Sequence, residues 1–177
     1  MRSTRRAADR LRPLAAVLLA FLVASAAAPA RAADRVAVFD PELLDTSGEG
    51  LRPDQQRRLA MIGEELRQAL AASGRYVVVD VAPQRARLAE GPALRGCGPC
   101  AAEAAQALGA DLAVVTVVQK VSNLILSITL SVLEAAPSEA RRAVYSAEIR
   151  GNTDESWQRG LRWLLRNRLL ASPDPPR

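Results

Sequence analysis

The sequence predicts an α/β (α+β) domain built on a single mixed five-stranded sheet. Three observations predict this class: short apolar runs alternate with helical segments early in the chain, a long hairpin follows, and an amphipathic helix comes last. Strands separated by a helix pair in parallel through right-handed crossovers, whereas strands joined by tight turns pair antiparallel. The predicted element order is therefore β-α-β-α-β-β-β-α, with the strands arranged 2-1-3-4-5 and the helices packed against the sheet.

The first half of the chain supplies two strands and two helices. Residues 35–40 and 76–81 are short apolar segments, typical of buried strands. Leucine and isoleucine recur at three-and-four spacing over 53–73, which predicts a helix with one core-facing side that ends before a glycine. Residues 83–96 are predicted to form a loop with a short helical turn. The alanine-rich segment 99–108 is predicted to form the second helix.

The hairpin occupies residues 111–133 and is expected at the centre of the sheet. Its first half, 112–118, is an almost unbroken apolar run, which is typical of a strand covered on both faces. Its second half, 124–133, alternates apolar residues with serine and threonine, the period-two pattern of a strand with one polar face. The polar residues 119–123 between them predict a turn.

The end of the chain predicts one more strand and one helix. Apolar and polar residues alternate over 143–150, which indicates the last strand. The final helix begins at Thr153 or Asp154, because either residue can cap a helix N-terminus. Trp157 lies on the leucine stripe of this helix and is expected in the core. Trp163, six residues later, faces another side and is expected to be exposed.

The positive charge of the chain is confined to its N-terminal segment. Residues 1–32 contain six arginines and one aspartate, which account for the whole net charge of +5. Within this segment an apolar stretch follows the first arginines, and the sequence Ala30-Arg31-Ala32 ends it. This is the pattern of a secretory signal peptide cleaved before Ala33, with a retained membrane anchor as the alternative. We expect one domain over 33–171 and a disordered tail, 172–177. The neutral remainder predicts no nucleic-acid partner.

The N-terminal segment 1–32, the leader of the chain, also predicts where the protein functions. It predicts export by general secretion to the periplasm and no stable membrane insertion after cleavage.

Two resemblances refine this interpretation. The strand order, the opening segment 35–40 and the Gly-Ala-Asp junction at 109–111 resemble the N-terminal domain of TolB and related envelope assembly domains. The CxxC pair, the LGADL, VQKVSNLIL and IRGNTDESW segments resemble a family of small secreted bacterial proteins of unknown function. The first resemblance implies binding to partner proteins, and the second implies a fold and a compartment without an activity.

Cys97-Gly98-Pro99-Cys100 is the sharpest motif, and it is identical to the active-site tetrapeptide of thioredoxins. Amides at a helix N-terminus stabilise a thiolate, which would make Cys97 the nucleophile and Cys100 the resolving thiol. In thioredoxins the motif directly follows a strand, whereas here fifteen residues intervene. In an exported protein a structural disulfide is the simplest interpretation, and redox activity and metal binding are the alternatives. Two cysteines without histidine make a poor zinc site, so no metal or cofactor is predicted.

The absence of histidine excludes Ser-His-Asp and Cys-His catalysis. Asp40 and Asp80 follow adjacent parallel strands, at the sheet end where ligands commonly bind. They are the candidate ligand-binding residues, and solvated or capping acids are the alternative. The segment 46–50 lacks the lysine of a phosphate-binding loop and is predicted to be a flexible loop.

The hairpin turn and the last strand supply the candidate partner-binding residues. The turn at 119–123 and the polar face of 143–150 form an open edge, and such edges accept strands from other proteins. Solvation is the alternative, as is a strand-ending turn with a helix cap for residues 152–155. The candidates are Lys120, Ser122, Asn123, Arg150, Asn152, Asp154 and Trp163.

These patterns favour a non-enzymatic periplasmic accessory protein of the bacterial envelope that binds a protein partner. The alternative is a periplasmic thiol-disulfide protein that uses Cys97 and Cys100.

Overall fold

The computed structural model describes residues 32–136 and 141–171, so most of the predicted signal peptide and the predicted tail lie outside it. Within these residues the strands are β1 (Asp34–Val38), β2 (Glu42–Asp45), β3 (Tyr76–Val79), β4 (Leu112–Lys120), β5 (Ile125–Glu134) and β6 (Arg141–Arg150). The helices are α1 (Pro53–Ala72), α2 (Arg85–Glu90), α3 (Gly98–Ala107) and α4 (Asp154–Leu164). Two short 3-10 turns, Ala82–Gln84 and Leu94–Gly96, flank α2, and a π-helical turn, Leu165–Leu169, extends α4.

The strands form one mixed sheet in the order β3-β1-β4-β5-β6. β1 pairs in parallel with β3 and with β4, and the β4-β5-β6 meander is antiparallel. This confirms the predicted fold class and strand order, because the five predicted strands correspond to β1, β3, β4, β5 and β6.

Strand β2 was not predicted from the sequence. Pro41 interrupts the first strand, but the chain then continues beside β4, with Glu42 opposite Val117 and Asp45 opposite Lys120. Phe39 N donates to Val114 O at 3.1 Å and bridges the interruption. The segment before the predicted flexible loop at 46–50 is therefore a short parallel strand next to the centre of the sheet. The predicted loop at 83–96 is also more ordered than expected, since it contains α2 and both 3-10 turns.

The two faces of the sheet carry different cores. On one face, the leucine stripe of α1 and the buried side chains of α4 pack on even-numbered residues of β1 and β4. On the other face, the alanines of α3 pack on Ala37 and Ala113, so the small side chains allow helix and sheet to approach closely. Trp157 is fully buried in the first core, as predicted, and Trp163 is 42% exposed.

The start of α4 is fixed by a capping box. Thr153 Oγ1 accepts from Ser156 N at 3.2 Å, and Ser156 Oγ accepts from Thr153 N at 3.0 Å. Thr153 is therefore the N-cap, and Asp154 is the first helical residue. This cap places the turn after β6, which contains Asn152, beside the β4–β5 hairpin.

Candidate functional site

A polar network connects the loops at the hairpin end of the sheet. Glu49, in the loop between β2 and α1, accepts from Lys120 Nζ at 2.6 Å and from Asn123 Nδ2 at 3.1 Å. Asn152 Nδ2 donates to Asn123 Oδ1 at 3.0 Å. Three of the predicted partner-binding residues therefore lie together, and a glutamate that the sequence interpretation left in a flexible loop joins two of them.

Asn152 connects this network to the core. Its Oδ1 accepts from Trp157 Nε1 at 3.0 Å and from Arg58 Nη1 at 3.2 Å. Arg58 Nε in turn donates to Asp154 Oδ1 at 2.7 Å. A fully buried indole N–H needs an acceptor, and Asn152 supplies it. Asn152 and Asp154 thus bond within the chain, and this matches their alternative interpretation as parts of a turn and a helix start.

The prediction that Lys120 lies on an exposed edge is wrong, because its side chain is 0% exposed. Lys120 ends β4, and the unpredicted strand β2 lies directly beside it, with Thr46 N donating to Lys120 O at 2.8 Å. The loop after β2 covers the ammonium group and brings Glu49 against it. Burying a lone charge costs several kcal/mol, so this pairing is what makes the buried position tolerable.

The carboxylates around Lys120 have lowered pKa values. The hydrogen bond from Lys120 lowers the pKa of Glu49, against the opposing effect of desolvation. The pKa of Asp45 is lowered mainly by Ser47, whose Oγ and N donate to Asp45 Oδ1 at 2.6 and 2.8 Å. Both groups are therefore ionised at neutral pH, which keeps the buried ammonium compensated.

The remaining residues of the hairpin end fall into two groups. Ser122 Oγ accepts from Leu124 N and Ile125 N, both at 3.2 Å, and so it stabilises the turn between β4 and β5. Arg150 is exposed and donates to Glu148 Oε2 at 3.2 Å on the same face of β6. Of the seven candidates, Arg150 and Trp163 line the groove described next.

A groove of about 470 Å³ lies between β6 and α4. Ile149 and Gly160 form part of its lining, and a Cβ at position 160 would stand 2.9 Å from Ile149 Cγ1, so helix and strand are in close contact there. Trp163 and Arg159 line it from the helix, and Arg150 lines it from the strand. The Arg168 guanidinium stacks over Trp163, 5.5 Å from the ring centroid. The groove thus combines an apolar floor, an accessible indole, several cations and the carboxylate of Glu148.

Asp40 and Asp80 follow adjacent parallel strands, as predicted, but each is engaged separately. Asp40 forms ion pairs with Arg67 and with Arg85, the latter at 3.3 Å. Asp80 Oδ1 accepts from Ala82 N, two residues along the chain, at 2.9 Å. A cavity of about 400 Å³, lined by Asp40, Val81 and Arg85, lies beyond the end of β1, where open α/β sheets commonly bind ligands. Ligand binding by these two acids stays a prediction.

Cys97 and Cys100 form a disulfide, with their Cα atoms 5.4 Å apart, at the start of α3. Cys97 Sγ also accepts from Cys100 N at 3.3 Å. The preceding turn is tied to β2, because Glu42 accepts from Leu94 N at 2.6 Å and from Arg95 N at 3.1 Å. Glu42 was missed by sequence reasoning, since nothing in its local pattern indicates a contact fifty residues away.

The described residues, 32–136 and 141–171, contain neither a helix that could cross a membrane nor a cluster that could hold a metal ion. None of their helices combines the length and the apolar character that crossing a bilayer requires. No group of three or more histidine, cysteine, aspartate or glutamate residues in this part of the chain is arranged to hold a metal ion.

Comparison with known families identifies the class of this protein. Residues 34–169 match the profile of the DUF3280 family, which is described as a protein of unknown function (DUF2380). Because the match spans most of the chain, the protein belongs to this family. The expectation of a family of unknown function is thereby confirmed. A search of curated proteins found no match.

Solved structures share the fold at low sequence identity. The LpoB C-terminal domain from Salmonella enterica has a TM-score of 0.50 and 16% identity, with 78% of this chain and 94% of that chain covered. The lipoprotein GNA1162 from Neisseria meningitidis has a TM-score of 0.50 and 15% identity, with 80% and 99% covered. These similarities establish the fold, and the resemblance to TolB is not confirmed by them.

Proposed function

We propose that the protein is a non-enzymatic accessory protein of the bacterial envelope that acts by binding another protein. The observation that carries this proposal is the groove between β6 and α4, in which Trp163 is 42% exposed beside the open edge of the sheet. A large aromatic side chain in a groove can bury much apolar area on binding, and tryptophan is enriched among the residues that dominate protein–protein affinity.

The envelope location rests on the leader and on the fold. Residues 1–32 have the pattern of a secretory signal, and we propose periplasmic residence after general secretion, without stable membrane insertion. One solved structure with a similar fold is named a lipoprotein, which is compatible with an envelope role. The near-neutral chain after the leader favours a protein partner over nucleic acid.

Affinity capture from the envelope tests this proposal. The full chain, with its leader and a C-terminal tag, is expressed in its own bacterium, and the cells are fractionated before capture and quantitative mass spectrometry. We expect the protein in the periplasmic fraction and one envelope protein enriched with it. A Trp163→Ala variant is the matched control, because the exposed indole can be removed without opening the core. Cytoplasmic residence, or equal enrichment by both forms, would refute the proposal.

The disulfide supports a second candidate, thiol-disulfide exchange. Cys97 precedes the first turn of α3, where helix N-terminal amides stabilise a thiolate. The reduction potential of the pair separates the two roles. A value below about −300 mV indicates a structural crosslink, whereas a value between about −120 and −270 mV indicates redox function.

A further inference from the structure

Three strands of the described sheet pair on one side only, and they differ in length. β2 and β3 have 4 residues each, whereas β6 has 10. Among the described residues, no strand pairs with β6 on the side away from β5. Proteins usually protect edges with short strands, prolines, bulges or inward-pointing charges. β3 follows this rule by its length. β6 has a register irregularity near its start, between Arg141 and Ala143, but from Ala143 to Ile149 it contains no proline and alternates apolar residues toward the core.

The groove lies where the side chains of an added strand would point. In a sheet, alternate residues of neighbouring strands share a face, so half of the added side chains would lie on the same face as Ala147 and Ile149. On that face α4 presents Gly160, which has no side chain, and then the half-exposed Trp163. An apolar residue of the added strand would therefore pack on the indole while its backbone pairs with β6.

The charges beside the groove favour an acidic occupant. Two arginines, Arg150 and Arg159, and one acid, Glu148, line it. Arg150 pairs with Glu148 at 3.2 Å, and Arg159 pairs with Glu155 at 3.1 Å. All four side chains are more than two-thirds exposed, so these ion pairs are weak and readily exchanged for a partner carboxylate. Arg168 adds a further cation over the face of Trp163.

We propose that β6 binds an extended segment of the partner protein as an additional strand. The segment places an apolar side chain on Trp163 and at least one carboxylate against Arg150 or Arg159. Main-chain hydrogen bonds to the free edge supply affinity, and the groove supplies selectivity for alternating apolar and acidic residues. This inference rests on the proposed function and specifies the chemistry of its partner.

Peptide selection tests this inference. The full chain is expressed with its own leader, the accumulated form is purified, and a displayed library of random 12-residue peptides is selected on it. We expect enriched peptides in which apolar residues alternate with polar ones and at least one is acidic. Trp163→Ala should weaken their binding at least about tenfold, as for a hot-spot residue. Arg159→Glu should weaken it as well, and N-methylation of alternate peptide amides should abolish it.

Val77→Ala is the matched control, because Val77 is a similarly exposed apolar residue on the opposite edge strand. Its binding should equal that of the wild type, and thermal unfolding of each variant verifies the fold. No enriched peptide, or enrichment independent of Trp163, would overturn the inference. So would a dimer lost on Trp163→Ala, because the occupant would then be a second copy. If affinity capture still enriches an envelope protein in these cases, only the strand-addition inference fails.

Discussion

Replacement of Asn152 by alanine should destabilise the protein through the buried indole of Trp157. Asn152 Oδ1 accepts from Trp157 Nε1 at 3.0 Å, and Trp157 is 0% exposed. Without this acceptor the indole N–H is left buried and unpaired, at a cost of about 1–3 kcal/mol. Arg58 adds little to the loss, since it keeps Asp54 at 2.9 Å and Asp154 at 2.7 Å. We expect a loss of about 2 kcal/mol in the free energy of unfolding.

Urea unfolding, followed by circular dichroism and tryptophan fluorescence, measures this loss. A double-mutant cycle with Trp157→Phe isolates the hydrogen bond, because phenylalanine has no N–H to leave unpaired. Asn152→Ala should therefore cost about 1 kcal/mol less in the Trp157→Phe background. Asn123→Ala is the matched control, since it removes an exposed amide from the same network. A loss below about 0.5 kcal/mol for Asn152→Ala, or no coupling, would refute the reasoning.

Three further changes have expected outcomes. Gly160→Ala should lower the free energy of unfolding in urea by about 1–2 kcal/mol, because its Cβ would stand 2.9 Å from a β6 side chain and overpacking exceeds the gain in helix propensity. Glu49 has a lowered pKa, so its contribution to stability is present above its ordinary pKa of about 4.5 and is lost as pH falls through the lowered value. Glu49→Gln should remove this dependence of stability on pH. It should also speed acylation of Lys120, the sole lysine of the chain, because the ammonium group loses its ion pair. Replacement of Cys97 and Cys100 by serine should cost about 2 kcal/mol, as expected for so short a loop, in thermal unfolding.

Each of these outcomes has its own control. For Gly160, the substitution Arg159→Ala on the exposed side of the same helix should leave stability almost unchanged. For Glu49, the substitution Glu148→Gln alters an exposed ion pair and should change neither the acid profile nor acylation. For the cysteines, the wild type in reducing buffer should match the double variant. An unchanged acid profile for Glu49→Gln, or equal stability of Gly160→Ala and wild type, would contradict the packing described.

The order of the strands was predictable because each central element has a pattern that depends only on its own sequence. The alternation in β5 and the apolar run in β4 follow directly from burial on one face or on both. The same holds for Trp157, which lies on the leucine stripe of α4. β2 was not predictable in this way. It has 4 half-buried residues after a proline, and its place in the sheet depends on pairing with β4 far along the chain.

The errors at the candidate site follow from that missing strand. With no β2, the end of β4 is expected to be exposed, and Lys120 becomes a surface residue. With β2 present, the loop that follows it brings Glu49 over the ammonium group. The prediction for Trp163 needed only helical periodicity, and its exposure agrees with the structure. The groove could not be predicted from the sequence, because it depends on the close approach of α4 to β6 at Gly160. No local pattern encodes that approach.

In-cell photocrosslinking at position 163 tests the proposed partner binding most directly. A photoreactive phenylalanine analogue replaces Trp163 in one strain and Val77, on the opposite edge strand, in another. We predict that one envelope protein crosslinks at position 163, through an extended segment with an acidic residue, and that position 77 gives no such product. Equal crosslinking at both positions, or none at position 163 while the protein is present in the envelope, would contradict partner binding at this groove.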